Sequence, residues 1–126
     1  MEFLAVGVGG FCGSCFRYLI SKVMVKFYPY FPIGTLVSNV LAGLLIGFII
    51  GAERQTAMLP ARVKLFLTVG ILGGLSTFST FSLETVKMFE DKNFAGAGGN
   101  IFLNVCASLV AVAAGMASAK ALLRIV

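Results

Sequence analysis

The feature that most constrains this chain is a set of four long apolar runs joined by short polar segments. Phe3–Ser21 holds a single charge, Arg17, and the stretches Phe27–Ala52, Leu65–Leu83 and Asn93–Ala119 hold none. A helix crosses the hydrocarbon core of a bilayer with roughly 20 mostly apolar residues, rising about 1.5 Å for each. Each run therefore predicts a membrane span. The second starts after Pro32, the third extends past Glu84, and the fourth continues toward Leu123. Hydrophobic residues make up 59% of the 126 and charged residues 12%. A soluble domain of this size has too much surface to hide that many apolar side chains, and disordered chains are poor in them. The expectation is an all-α membrane protein with four transmembrane helices, forming one domain over residues 1–126.

The connections leave no room for a soluble domain. Lys22–Pro32 contains Tyr-Pro-Tyr-Phe-Pro, which stops a helix twice and places aromatic rings at an interface. Glu53–Arg62 is polar around Pro60, and Glu90–Gly99 holds charges followed by glycines. The opening Met-Glu-Phe-Leu lacks the basic region of a cleaved signal, so the first run is expected to stay as a span.

The net charge of +5 comes from basic residues that lie beside apolar runs, where they meet lipid headgroups. No basic cluster interleaves with aromatics, which argues against a nucleic-acid partner. The chain has no His. That removes the commonest general base and metal ligand, and the usual Ser–His and Cys–His nucleophiles with it. Cys12-Gly-Ser-Cys15 has CxxC spacing, but it sits inside an apolar run without a second pair. It reads as small buried apolar residues, as does Cys106.

Four spans put both termini on one side with the loop after span two. That side carries Arg54, Arg62, Lys64, Lys120 and Arg124; the other carries Lys22, Lys26, Lys87 and Lys92. Orientation follows the asymmetry of Lys and Arg in short loops, and here it is nearly absent. Charge alone leaves open both dual topology and a single weakly biased orientation. Small residues recur four apart at Gly9/Gly13, Gly43/Gly47/Gly51, Gly70/Gly74 and Gly115/Ala119. Such faces let helix backbones approach closely in a membrane.

Span three departs from the rest. Gly73-Gly74 is followed by Leu75 and then by Ser76, Thr77, Ser79, Thr80 and Ser82, five hydroxyls in seven positions. Paired glycines weaken a helix, and Ser and Thr bond the backbone locally and support a break. A break is tolerated at membrane depth only inside protein or along a water-filled cavity, and transporters build ion sites at such places. A packing helix with no break is the other reading. Phe78 and Phe81 share a face, Thr77, Thr80 and Glu84 fall on neighbouring turns, and so do Ser79 and Ser82. Partly positive ring edges beside hydroxyls suit an anion. Glu84 is either the end of that track or a solvated helix end. Asn39 on span two is either a clamp between helices or a pathway donor. Asn104 and Ser108 share a face of span four. Arg17 either snorkels to the interface or has a partner.

Gly34-Thr35-Leu36-x-x-Asn39 and Gly73-Gly74-Leu75-Ser76-Thr77-Phe78-Ser79-Thr80-Phe81-x-x-Glu84 resemble the motifs of the Fluc (CrcB) family of fluoride channels. The resemblance covers the whole chain, including an Arg late in span one and a Ser on span four. It implies an antiparallel, dual-topology homodimer in the bacterial cytoplasmic (inner) membrane that exports fluoride passively through two pores, with the third helix broken mid-membrane. By the same resemblance, Phe78 and Phe81 turn ring edges to the ion, Asn39 supplies the amide, Ser79, Thr80 and Ser108 the hydroxyls, and Glu84 stands near one mouth. It further implies a structural sodium ion on the dimer axis, held by the main-chain carbonyls of Gly73 and Ser76; oxygen-only ligation suits a hard cation. Three positions depart from the common pattern: Ser38 for an apolar residue, Phe102 where several relatives carry Tyr, and Asn104 where some have His.

A small drug/proton antiporter also has four short spans in dual topology, but needs a carboxylate embedded in span one, where the only acid is terminal Glu2. An enzyme would need a constellation that the missing His and the lack of paired mid-span carboxylates deny. A purely structural assembly protein accounts for the glycine faces but not for the hydroxyl and phenyl track.

Overall fold

A computed structural model describes residues 1–56 and 59–123; Arg124, counted above, lies outside the described residues. Among the described residues every regular element is a helix, and four stretches are long and apolar enough to cross a membrane: Glu2–Phe27, Ile33–Thr56, Ala61–Glu90 and Phe94–Leu123. The first is α1 and the second α2. The third comprises α3 (Ala61–Leu65), a π-helical turn (Phe66–Leu72), α4 (Gly73–Leu75) and α5 (Phe78–Glu90). The fourth is α6.

The ends follow local chemistry. α1 outruns the expected boundary at Ser21 by six residues, so Lys22 and Lys26 ride on its last turns, where a cation suits the negative end of the helix. Tyr28 closes it by donating to the Met24 carbonyl at 2.9 Å, and α2 begins directly after Pro32. Pro60 stands just ahead of α3, where its missing N–H costs nothing. Lys64 of α3 pairs with Glu53 of α2 at 2.7 Å. The turn into α6 uses Lys92 with φ 58°, and the Asn93 side chain then accepts from Gly96 N at 2.9 Å, a helix cap.

Two seams of small residues hold the helices together, as the four-apart spacing predicts. On α1, a side chain at Gly9 would strike Gly70 Cα at 2.9 Å, and one at Gly13 would strike Leu75 N at 2.9 Å. Gly74 approaches the Gly10 carbonyl in the same way. On α2, Gly43, Gly47 and Gly51 face Ser108, Val112 and Met116–Ala119 of α6, while Gly115 returns the contact against Phe48. Water contributes no hydrophobic drive between helices in lipid, so this close packing is what binds them. Most large apolar side chains, such as Phe3, Phe11, Leu109 and Val110, point outward.

Candidate functional site

The site is built where α4 gives way to α5. Gly73 and Gly74 are both helical and do not themselves uncoil, and Gly74 is the one that lies close against α1. The extended residues come one residue later, past Leu75: Ser76 at φ −76°, ψ 152° and Thr77 at φ −151°, ψ 119°. Thr77 caps α5, its hydroxyl accepting from Thr80 N at 3.2 Å and donating to Thr80 Oγ1 at 3.0 Å.

Asn39 secures this turn from α2. Thr77 N donates to Asn39 Oδ1 at 2.7 Å, and Asn39 Nδ2 donates to the Thr77 carbonyl at 3.3 Å and to Asn104 Oδ1 at 2.9 Å. Both amide protons are thus engaged. With Thr77 N taken by Asn39 and Thr80 N by the Thr77 hydroxyl, the carbonyls of Gly73 and Ser76 lose their i+4 donors. The main-chain bond that reaches into the turn is Ser76 N to the Leu72 carbonyl, 3.0 Å.

A cavity of about 430 Å³ opens beside this turn. It brings together Asn39, Gly73, Ser76, Phe78, Phe81 and Ser108, along with Asn104. The phenyl rings of Phe78 and Phe81 are 5.4 Å apart, centre to centre, and tilted by 57°. Phe81 is buried, whereas Phe78 is 77% exposed on the single chain. Ser108 Oγ is buried with no partner among the described residues, so its proton is free to serve a guest. Gly73, Ser76 and Ser79 also lie on the exposed surface.

Four expected residues lie elsewhere. Thr80 and Ser79 belong to the capping cluster around Thr77 and do not border the cavity. Glu84 borders a second cavity of about 360 Å³ with Thr35, Lys87 and Asp91, beneath the Tyr-Pro loop. Thr35 donates to Glu84 Oε1 at 2.7 Å, and Oε2 is buried without a partner among the described residues. Glu84 is therefore not a freely solvated helix end. Arg17 is half-buried on α1 and borders neither cavity.

The three departures from the common pattern have distinct consequences. Ser38 is fully buried and returns its hydroxyl to the Gly34 carbonyl at 2.8 Å, so it behaves as a small packing residue. Phe102 is exposed. Asn104 is the partner that orients Asn39. Sequence reasoning passed over Asn100 and Thr85. Asn100 is fully buried and donates to Thr85 Oγ1 at 2.9 Å. Asn100, Asn104 and Ser108 recur four apart on one helix face, which was the available signal.

Residues 4–116 match the model of the family described as CrcB-like protein, Camphor Resistance (CrcB). The chain belongs to the CrcB family. Curated CrcB relatives named Fluoride-specific ion channel FluC agree along nearly the whole length. The protein from Clostridium perfringens is 48% identical over 120 residues, 94% of each chain. That from Clostridium novyi is 44% identical over 118 residues, 93% of this chain and 92% of the relative. That from Paraburkholderia phymatum is 37% identical over 124 residues, 98% of each. The CrcB family is one of channels, not enzymes, and this chain is a multi-pass membrane protein.

Proposed function

We propose that this chain is a fluoride-selective channel that lets fluoride leave the bacterial cytoplasm passively across the inner membrane. The observation that carries the reading is the cavity beside the Ser76–Thr77 turn, bordered by the Phe78 and Phe81 rings and the unpartnered Ser108 hydroxyl, in a chain whose relatives are named fluoride-specific channels. Fluoride is small and holds water tightly. A narrow path selects it over chloride by replacing that water with donors. Ser108 has a proton to give, ring edges carry partial positive charge, and the Thr77 cluster and Ser79 offer further hydroxyls. Asn39 serves the path by keeping its wall in shape. Glu84 and Thr35 mark one mouth.

The working unit is an antiparallel dimer of chains inserted in both orientations, with one path per chain and therefore two per dimer. The nearly even charge count supports dual insertion. Exposed backbone carbonyls at membrane depth support a second copy over them, since irregular backbone does not face lipid. The third span is then interrupted mid-membrane, at the dimer face. The carbonyls of Gly73 and Ser76, stripped of main-chain donors, fit the ligands of a structural sodium ion, each used twice across the two-fold axis. Such hard oxygen donors suit it, and the ion would give these carbonyls the partner that the main chain does not.

Fluoride efflux from liposomes holding the purified protein, with chloride as control, tests the function. Fast fluoride loss with chloride retained supports it; equal retention of both overturns it. Proton movement coupled to a drug gradient would instead support the antiporter reading.

A further inference from the structure

Thr85, Asn100 and Asn104 form a hydrogen-bond relay whose direction is set at both of its ends. Thr85 Oγ1 donates to the Phe81 carbonyl at 2.8 Å, so that oxygen is left as an acceptor. Asn100 must present Nδ2 to it, and does so at 2.9 Å. Asn100 Oδ1 then faces Asn104, whose Nδ2 donates to it at 2.8 Å and to the Asn100 carbonyl at 3.1 Å. With Nδ2 so engaged, Asn104 turns Oδ1 to Asn39, which donates at 2.9 Å and so meets the Thr77 N–H with its own oxygen. At that end the backbone N–H is only a donor. A reversal of any one amide would set donor against donor at one contact and acceptor against acceptor at the next. The relay starts at Phe81 and returns to Thr77, so it closes on the segment that bears the phenyl rings.

Asn100 and Thr85 border neither cavity, and both are buried. A buried amide in a membrane span is tolerated only when hydrogen-bonded. We infer that Asn100, oriented by Thr85, is a positioning residue for the ion path: through Asn104 it sets the Asn39 amide and thereby holds the extended Thr77 peptide. This inference rests on the channel reading for its effect on flux, but the hold on Thr77 stands apart from it.

The test uses Thr85→Val, Thr85→Ser and Asn100→Leu in the full chain, reconstituted in liposomes. Two quantities are read: fluoride efflux, and hydrogen–deuterium exchange of the peptide containing Ser76–Thr77. Losing one buried hydrogen-bond partner should raise that exchange and lower efflux, each by about tenfold, in Thr85→Val and Asn100→Leu. Thr85→Ser keeps the hydroxyl and should restore both to within about twofold. Thr85→Val and Asn100→Leu combined should be no worse than the poorer of the two, because both cut one relay. Exchange unchanged in Thr85→Val overturns the relay. Faster exchange with parent-like efflux overturns the positioning role. Failure of Thr85→Ser to rescue overturns the hydroxyl as the cause. If the parent itself passes no fluoride, the channel reading falls, and the exchange result alone still decides whether the relay holds Thr77. Should Asn100→Leu not fold, the two Thr85 variants decide.

Discussion

The two halves of the third span are held by different physics. The first half, from α3 through α4, lies against α1 with glycine on glycine, and its place is set by steric approach of backbone to backbone. The second half, α5, meets α2 through the Thr35 hydroxyl and the Glu84 carboxyl, and α6 through the Asn100 amide and the Thr85 hydroxyl. Packing of the first kind is insensitive to charge and intolerant of volume. Bonding of the second kind tolerates small changes of volume and fails when a donor meets a donor. The extended Ser76–Thr77 pair lies where one regime yields to the other: Asn39 and the Thr77 hydroxyl take up the Thr77 and Thr80 N–H groups, and the Gly73 and Ser76 carbonyls are left without their i+4 donors.

That contrast can be broken from either side. The largest effect should come from volume in the glycine seam. Gly13→Val drives a side chain into the Ile71 carbonyl group and Leu75 N, and overpacking of this kind costs about 1–3 kcal/mol or more. We expect little folded protein by gel filtration in detergent. Gly98→Ala, where a Cβ meets nothing within 4 Å, should elute like the parent. Next comes polarity in the second half. Asn39→Asp has no proton for the Thr77 carbonyl or for Asn104 Oδ1, and sets a charge beside both. Fluoride flux in liposomes should fall about a hundredfold, the equivalent of two buried mismatches. Parent-like flux would separate the clamp from permeation.

A smaller effect sharpens the comparison. Thr77→Val removes the cap on α5 and should lower stability by about 1 kcal/mol, whereas Thr77→Ser should match the parent in thermal unfolding. The smallest is Lys64→Ala. Its pair with Glu53 is part-exposed, and such pairs are worth about 0–1 kcal/mol. Flux and stability should both stay near parental values.

The spans were legible because apolar runs of that length with at most one charge point to a bilayer, and the glycine seams because four-apart spacing forces a single face. The α1 boundary was missed because Lys22 and Lys26 look like the end of a span, although lysine stems continue comfortably up a helix into the headgroups. The course of the third span was half legible. Gly-Gly followed by hydroxyls marked the region, but composition does not distinguish residues that uncoil from residues that pack. The π-helical turn at Phe66–Leu72 leaves no mark in an apolar run. For the site, an amide such as Asn39 reads the same as clamp or as donor until its neighbours are known. Asn100 was passed over because its partner, Thr85, lies on another helix.

The most direct measurement is fluoride efflux from liposomes containing Phe81→Ile and Phe78→Ile, each first checked in detergent for the same assembly size as the parent. If fluoride passes along the two rings at the turn of the third span, both variants remain assembled and release fluoride far more slowly than the parent. If both assemble normally and release it at the parental rate, the ion does not travel past those rings.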